Sequence, residues 1–227
     1  MIQTKRKRWI FLINIFGCIQ FIIITFIAMF YYPGGSYVDP LTQGYQFWYN
    51  YFSDLGRIFA HSGNLNIISF ILFTITLSIW GLSQIPFYIA FQDFFKSYKK
   101  MKILSTLGSL FGVFTGIFFI GIAFTPSDIL GFWHNGFVFL GFGSIFISLS
   151  LFTITLFQNK EYPKSYAIVL ASASFILMIY YLTLFFIPST ITSTILFIYV
   201  SGQKIIIYTL LICEIYQGYG ALKQLQS

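Results

Sequence analysis

From Trp9 to Tyr31 the chain runs for twenty-three residues without one charged side chain. Comparable apolar runs follow at about 64–90, 103–124, 129–157, 165–187 and 191–219. A helix of about 20 residues, rising about 1.5 Å per residue, crosses the roughly 30 Å hydrocarbon layer. Six runs of that length predict six transmembrane helices. Composition agrees: 57% of residues are hydrophobic and only 8% charged, against about 25% charged in a soluble domain. So few charges cannot build a water-facing surface, so lipid is the solvent for most of the chain. The expectation is an all-α polytopic bundle forming one integral membrane domain over residues 1–227.

The charges that remain are sorted by sign and place. Lys5, Arg6, Lys7, Arg8, Lys96, Lys99, Lys100, Lys102, Lys160, Lys164 and Lys223 fall at alternate ends of the runs, and Arg57 alone falls on the other side. By the positive-inside rule both termini are cytoplasmic and the 32–63 segment faces outward. We expect a multi-pass protein of a prokaryotic cell membrane, since no organelle-targeting pattern is visible. The net charge of +7 follows the topology pattern, and no soluble basic face is left to bind nucleic acid. The basic start resembles that of a signal peptide, but the first run exceeds the about 7–15 apolar residues of such a segment and lacks a small-x-small cleavage site. It reads as an uncleaved first span. Cys18 and Cys213 lie inside apolar runs, as buried small side chains rather than a disulfide framework.

Between the first two runs lies the most polar stretch, Asn50-Tyr51-Phe52-Ser53-Asp54-Leu55-Gly56-Arg57, continuing to His61, Asn64 and Asn66. The rings of Tyr45, Phe47, Trp48, Tyr49, Tyr51 and Phe52 surround it, and such rings favour the headgroup layer. We expect a short interfacial or re-entrant helix here. Asp54 and Arg57, three apart, would share a face of that helix and could pair. Equally, Ser53 or Asp54 could cap it while Arg57 grips a lipid phosphate. His61 reads as a solvated or interfacial loop histidine.

Elsewhere Asp128 follows Pro126 in a tight outer turn, where the free amides of helix four favour negative charge, and His134 and Asn135 follow near the outer end of that helix. Lys204 is the most anomalous residue, a lysine near the middle of the last run. Left unpaired there it costs several kcal/mol, on the order of 3 or more. It is either half of a structural ion pair or a site for a ligand headgroup or a proton, with Asp54 or Asp128 as partner. Glu214, ten residues further on, lies ~15 Å away along the helix and is expected to snorkel inward. Gly108, Gly112 and Gly116 recur every fourth residue and predict a smooth helix-packing face. Pro188-Ser189-Thr190 reads as the last outer turn.

Several chemistries lack their signatures. The chain contains neither Gly-x-Ser-x-Gly nor a Walker glycine loop, so no nucleophile elbow or phosphate loop is expected. Two histidines exclude a three-histidine metal site. A metal bound by His61, His134, Asp54 and Asp128 is conceivable, but we expect no metal and no cofactor.

The residues Tyr32-Pro33-Gly34-Gly35, Gly44-Tyr45-x-Phe47-Trp48-x-Asn50-x-Phe52-Ser53-Asp54-Leu55-Gly56-Arg57, Asn64, Pro126-x-Asp128 and His134-Asn135 resemble the prokaryotic domain-of-unknown-function 998 membrane proteins, with a more distant similarity to DRAM-type membrane proteins. The resemblance implies a six-helix bundle and supplies no activity. The lipid-hydrolase superfamily that includes alkaline ceramidases uses three histidines, which this chain cannot provide.

The candidate site is therefore Ser53, Asp54, Arg57, Asn64, Asp128, His134, Asn135 and Lys204. Its expected use is an outward polar pocket binding a lipid headgroup or small amphiphile, for transport or sensing. The alternative is a membrane-embedded hydrolase or transferase, with Asp54, Asp128 and His134 as acid–base groups. Membrane lipid is the expected partner, and a homo-oligomer is compatible with the sequence.

Overall fold

The computed structural model describes residues 2–96, 98–183, 186 and 190–226. Six helices are long and apolar enough to span a membrane: α1 (Ile2–Tyr31), α2 (Ile67–Phe91), α3 (Lys99–Ala123), α4 (Gly131–Gln158), α5 (Lys164–Thr183) and α6 (Ser193–Gln224). This is the expected all-α six-helix membrane bundle. α1 starts seven residues before the expected position 9, because Lys and Arg favour helix and carry it through the basic cluster. The expected end of α5 at Ile187 and the turn residues Pro188 and Ser189 lie outside the described residues.

Each helix packs on its neighbour in sequence, and α6 returns to α1. The ring closes on an aromatic core. Trp80 is fully buried, with Phe21 at 4.9 Å and Phe119 at 5.0 Å between ring centroids. Towards the basic end, Phe91, Phe95, Phe152 and Tyr162 form a second aromatic layer. The outward sides of the helices expose Ile and Leu, such as Ile71, Ile75, Leu82 and Ile205, as lipid contact requires.

The expected glycine face of α3 does pack, and it divides between two partners. A Cβ on Gly112 would enter the Tyr88 ring, and one on Gly116 would meet the Gly81 carbonyl, so α2 and α3 approach backbone to backbone. Gly108 instead meets Phe152 of α4.

Among the polar side chains buried within the bundle is one carboxyl, Glu214. Glu214 does not snorkel. It is 2% exposed and accepts from Trp80 Nε1 at 2.9 Å and Cys18 Sγ at 3.4 Å. Two donors inside the bundle, on α2 and α1, meet the carboxyl where it stands, so it need not reach the helix end. Cys18 and Cys213 are free and buried.

Residues 32–66 form a folded cap over one end of the ring. Their helix is short, a 3-10 turn at Phe52–Gly56. Phe52 packs on Phe21 and Tyr208, and Leu55 is fully buried. Backbone pairing of Gly34 with Gln43 and of Phe59 with Leu65 closes the rest. Gly35 (φ 81°) has a conformation that other side chains rarely adopt, and its backbone lies against that of Ser62.

Candidate functional site

The cap is built around Asn50, which is fully buried. Its Nδ2 donates to the Gly35 carbonyl at 2.9 Å and to Asp54 Oδ2 at 3.1 Å, and its Oδ1 accepts from Gln46 N at 2.8 Å. Asp54 also accepts from Tyr51 N at 2.8 Å and from His61 Nε2 at 3.1 Å. It therefore caps the short helix, one of the two readings the sequence left open. With three donors on a 4% exposed side chain, the carboxylate is well supplied for a buried anion.

The pairing of Asp54 with Arg57 does not form. The helix ends at Gly56, so Arg57 leaves the shared face, and its Nε donates to the Phe59 carbonyl at 3.0 Å. His61 takes its place beside Asp54. The loop histidine is thus part of the site, brought seven residues back along the chain by the fold of the cap. Because a carboxylate only accepts, Nε2 of His61 carries hydrogen, and Nδ1 is the ring nitrogen left over.

Lys204 is also held differently from the expectation. Its ammonium is in ion-pair contact with neither Asp54 nor Asp128. It donates to Tyr45 Oη and to the Asn50 carbonyl, both at 2.7 Å. The rings of Phe52, Tyr45 and Phe47 surround it at 4.2, 5.1 and 5.3 Å from their centroids. Cation–π contact and two strong acceptors meet the charge with no carboxylate in direct contact. Lys204 is 2% exposed and fastens α6 to the cap, with no place in the pocket wall.

Asp128 likewise serves the cap. Its carboxylate accepts from Ile58 N at 3.2 Å and Phe59 N at 2.8 Å. It lies in the turn before α4, so it shares no helix face with Asn135, and its charge meets loop amides rather than those of the helix. Asn64 is exposed in a turn, where its carbonyl accepts from Ala60 N at 2.9 Å. Neither residue lines the cavity. Asn66, which is buried, holds the short helix in place by donating to the Leu55 and Arg57 carbonyls.

A cavity of about 320 Å³ remains between the cap, α4, α5 and α6. Five of the eight candidates line it: Ser53, Asp54, Arg57, His134 and Asn135. It is also lined by His61 and Tyr51, which belong to the polar stretch but not to the eight candidates, and by Tyr37, Ser127, Tyr180, Tyr199 and Gln203, which the sequence did not single out. His134 Nδ1 lies 2.7 Å from the Thr125 carbonyl. A carbonyl only accepts, so Nδ1 donates and Nε2 is left as the second nitrogen. Gln203 Oε1 accepts from Phe52 N at 2.8 Å, joining α6 to the cap at the cavity wall.

No family model, curated protein or solved structure matches the chain. Among the described residues, no group of three or more His, Cys, Asp and Glu is placed to share a metal ion. The phenols around Asp54 favour their neutral forms. Burial, and then the negative charge of Asp54, push Tyr45, Tyr51 and Tyr32 upward from the ordinary tyrosine range. Of the three, only Tyr51 lines the cavity, while Tyr45 donates to the Asn50 and Tyr51 carbonyls and Tyr32 accepts from His61 N. Within the pocket wall, Asp54 is already supplied with donors, whereas Arg57 has no carboxylate in ion-pair contact among the described residues.

Proposed function

We propose that the cavity under the cap binds the headgroup of a lipid or small amphiphile, for transport or sensing. Arg57 carries this reading. It is a permanent cation on the cavity wall with no carboxylate in ion-pair contact among the described residues, in a chain with few charges. A guanidinium presents paired N–H donors that match phosphate or carboxylate oxygens. His61, His134 and Asn135 add polar groups around the same space. A cavity of about 320 Å³ falls at the small end of ligand-site volumes, roughly 300–1,000 Å³, which suits a headgroup. The likeness to the domain-of-unknown-function 998 proteins belongs to the same proposal, and adds only a fold.

The test is titration of purified protein with glycerol 1-phosphate, followed by calorimetry. Saturable binding is expected, weakened about tenfold or more in Arg57→Gln, as loss of a charge-assisted hydrogen bond of about 1.5–3 kcal/mol requires. Equal binding by both proteins would remove Arg57 from the role, and absence of binding to the unaltered protein would overturn the reading.

The Asp54–His61 contact favours a second reading, a hydrolase or transferase. A carboxylate that fixes one imidazole nitrogen leaves the other as a base, the orienting arrangement of acyl-transfer sites. Asp128, committed to the amides of 58 and 59, has no part in it. Release of a water-soluble headgroup from a phospholipid by the unaltered protein, lost in His61→Asn, would favour this reading over simple binding.

A further inference from the structure

A second space adjoins the polar cavity. It is an apolar groove of about 270 Å³ between α5 and α6, lined by Ile179, Ile198, Gly202 and Ile205 and by the rings of Tyr180 and Tyr199. Those two tyrosines also line the polar cavity. They form the partition between the spaces, with one face towards the polar groups and the other towards the lipid-facing isoleucines. Gly202 sets the depth of the groove, since a Cβ there would lie 3.3 Å from Tyr180 Cδ2. The partition is hydrogen-bonded across the seam. Tyr199 Oη donates towards the Phe186 carbonyl at 2.8 Å and lies 3.4 Å from that of Thr183, and Tyr180 contacts the Gln203 amide.

From this shared wall we propose that the groove seats an acyl chain of a single membrane phospholipid whose anionic phosphate headgroup lies against Arg57, the lipid entering sideways between α5 and α6 and crossing the partition at Tyr180 and Tyr199. The inference rests on the headgroup reading above and names the ligand class. Two features of the site point to this occupant. The groove is apolar along its length and opens to the bilayer through Ile198 and Ile205, each 57% exposed. The adjoining cavity offers a cation without a carboxylate partner. A soluble anion would use the cavity alone, and a neutral lipid would leave Arg57 unmatched. A phospholipid meets both spaces at once, with Tyr180 and Tyr199 at its polar–apolar junction, where amphipathic rings are favoured.

The test uses the full chain in nanodiscs and a phosphatidylglycerol with a photoreactive diazirine on one acyl chain. A diacylglycerol with the same chain is the control for the phosphate. Cross-links are expected on the α5 and α6 peptides that hold Ile179, Ile198 and Ile205, about tenfold fewer with the diacylglycerol and about tenfold fewer in Ile205→Trp. Ile205 faces lipid, so the larger ring fills the groove without entering the core, and Ile198→Trp repeats the test from the other wall. Glycerol 1-phosphate should bind Ile205→Trp and unaltered protein alike. Cross-links spread evenly over all helices, or unchanged in both tryptophan variants, would overturn the groove while glycerol 1-phosphate binding left the headgroup reading standing. Equal labelling by the diacylglycerol would overturn the phospholipid assignment. Loss of both cross-linking and glycerol 1-phosphate binding in the unaltered protein would overturn both.

Discussion

Lys204 and Asp54 hold the same residue from opposite sides without forming an ion pair. Lys204 Nζ is 2.7 Å from the Asn50 carbonyl, and Asp54 Oδ2 is 3.1 Å from Asn50 Nδ2. The cation of α6 and the anion of the cap are thus joined through one asparagine, whose backbone serves one charge and whose side chain serves the other. The cap is seated on the bundle by this link.

The link predicts an unequal cost for its members. In Lys204→Met the Asn50 carbonyl keeps a donor, because Tyr45 Oη lies 2.9 Å away. Lys204 is in contact with no carboxylate, so its removal strands no buried partner charge and relieves the desolvation of the ammonium. Unfolding in detergent should therefore shift by no more than about 1 kcal/mol. Asn50→Ala withdraws a donor from buried Asp54 and from the Gly35 carbonyl and strands Gln46 N, and each orphaned group costs about 1–3 kcal/mol. It should be the more destabilising by at least about 2 kcal/mol. An Asn50→Ala, Asp54→Asn pair should cost less than the two changes summed. Equal costs for Lys204→Met and Asn50→Ala would show that the asparagine is not the joint.

The phenols of the cap predict an alkaline limit. Tyr45, Tyr51 and Tyr32 are all shifted upward, by burial first and by Asp54 next. Above about pH 10, where an ordinary tyrosine ionises, the unfolded chain loses phenolic protons that the folded chain retains. The folded state then binds more protons, so stability falls with further rise in pH. It is fully present below about pH 10. The melting temperature in detergent should be level from about pH 8 to 10 and fall above it, less steeply in Tyr45→Phe. A level profile to about pH 11.5 would contradict the buried, neutral state of these phenols.

The six spans were legible because length and apolarity are all that a membrane asks of a helix, and α2 to α4 begin and end within about four residues of their expected limits. The polar stretch was legible as a site because acids, amides and a base are rare in this chain. The partners inside it were not. Lys204 finds a backbone carbonyl and a tyrosine hydroxyl, and neither leaves a charge pattern in the sequence. His61 reaches Asp54 only because the 3-10 helix stops at Gly56 and the chain doubles back. Asp128 looked like a helix-terminal charge because local spacing carries no sign of amides seventy residues away. Tyr180, Tyr199 and Gln203 were hidden within apolar runs, where a tyrosine facing a cavity and one facing lipid look alike.

Glycine changes on α3 and α4 should have opposite signs. A side chain at Gly112 enters the Tyr88 ring, and Gly112→Ala must spread α2 from α3, an overpacking cost of about 1–3 kcal/mol. Gly136 on α4 has open space where a Cβ would go. Gly136→Ala should raise stability by about 0.5–1 kcal/mol through helix propensity. Thermal unfolding of the two variants in one detergent decides it, and a neutral Gly112→Ala would contradict the close approach of the helices.

Glu214 should matter as an acceptor more than as a charge. Glu214→Gln keeps an oxygen for Trp80 Nε1 and Cys18 Sγ, so it should fold with stability within about 1 kcal/mol of the unaltered chain. Trp80→Phe retains an aromatic ring beside Phe21 and Phe119 but takes the indole donor from Glu214 Oε2, and the Cys18 thiol is a weak replacement. It should cost about 1–3 kcal/mol. If Glu214→Gln proved the more damaging change, the carboxyl would have a role beyond accepting these two bonds.

Sidedness can be tested with the two native cysteines in place, because Cys18 and Cys213 are both buried. Ser36 is a poor reporter at 3% exposed, whereas Leu41 in the cap is 87% exposed. On the other face Tyr98 is 71% exposed, beside the lysines that begin α3 and near the Lys7–Asp93 ion pair that ties α1 to the end of α2. The excess of basic residues on that face predicts that it is cytoplasmic. Leu41→Cys in intact cells should react with a membrane-impermeant maleimide, and Tyr98→Cys should react only after the membrane is opened. Labelling of Tyr98→Cys in intact cells, with Leu41→Cys protected, would invert the bundle. The cap and its cavity would then face the cytoplasm, and the phospholipid proposed for the groove would have to come from the inner leaflet.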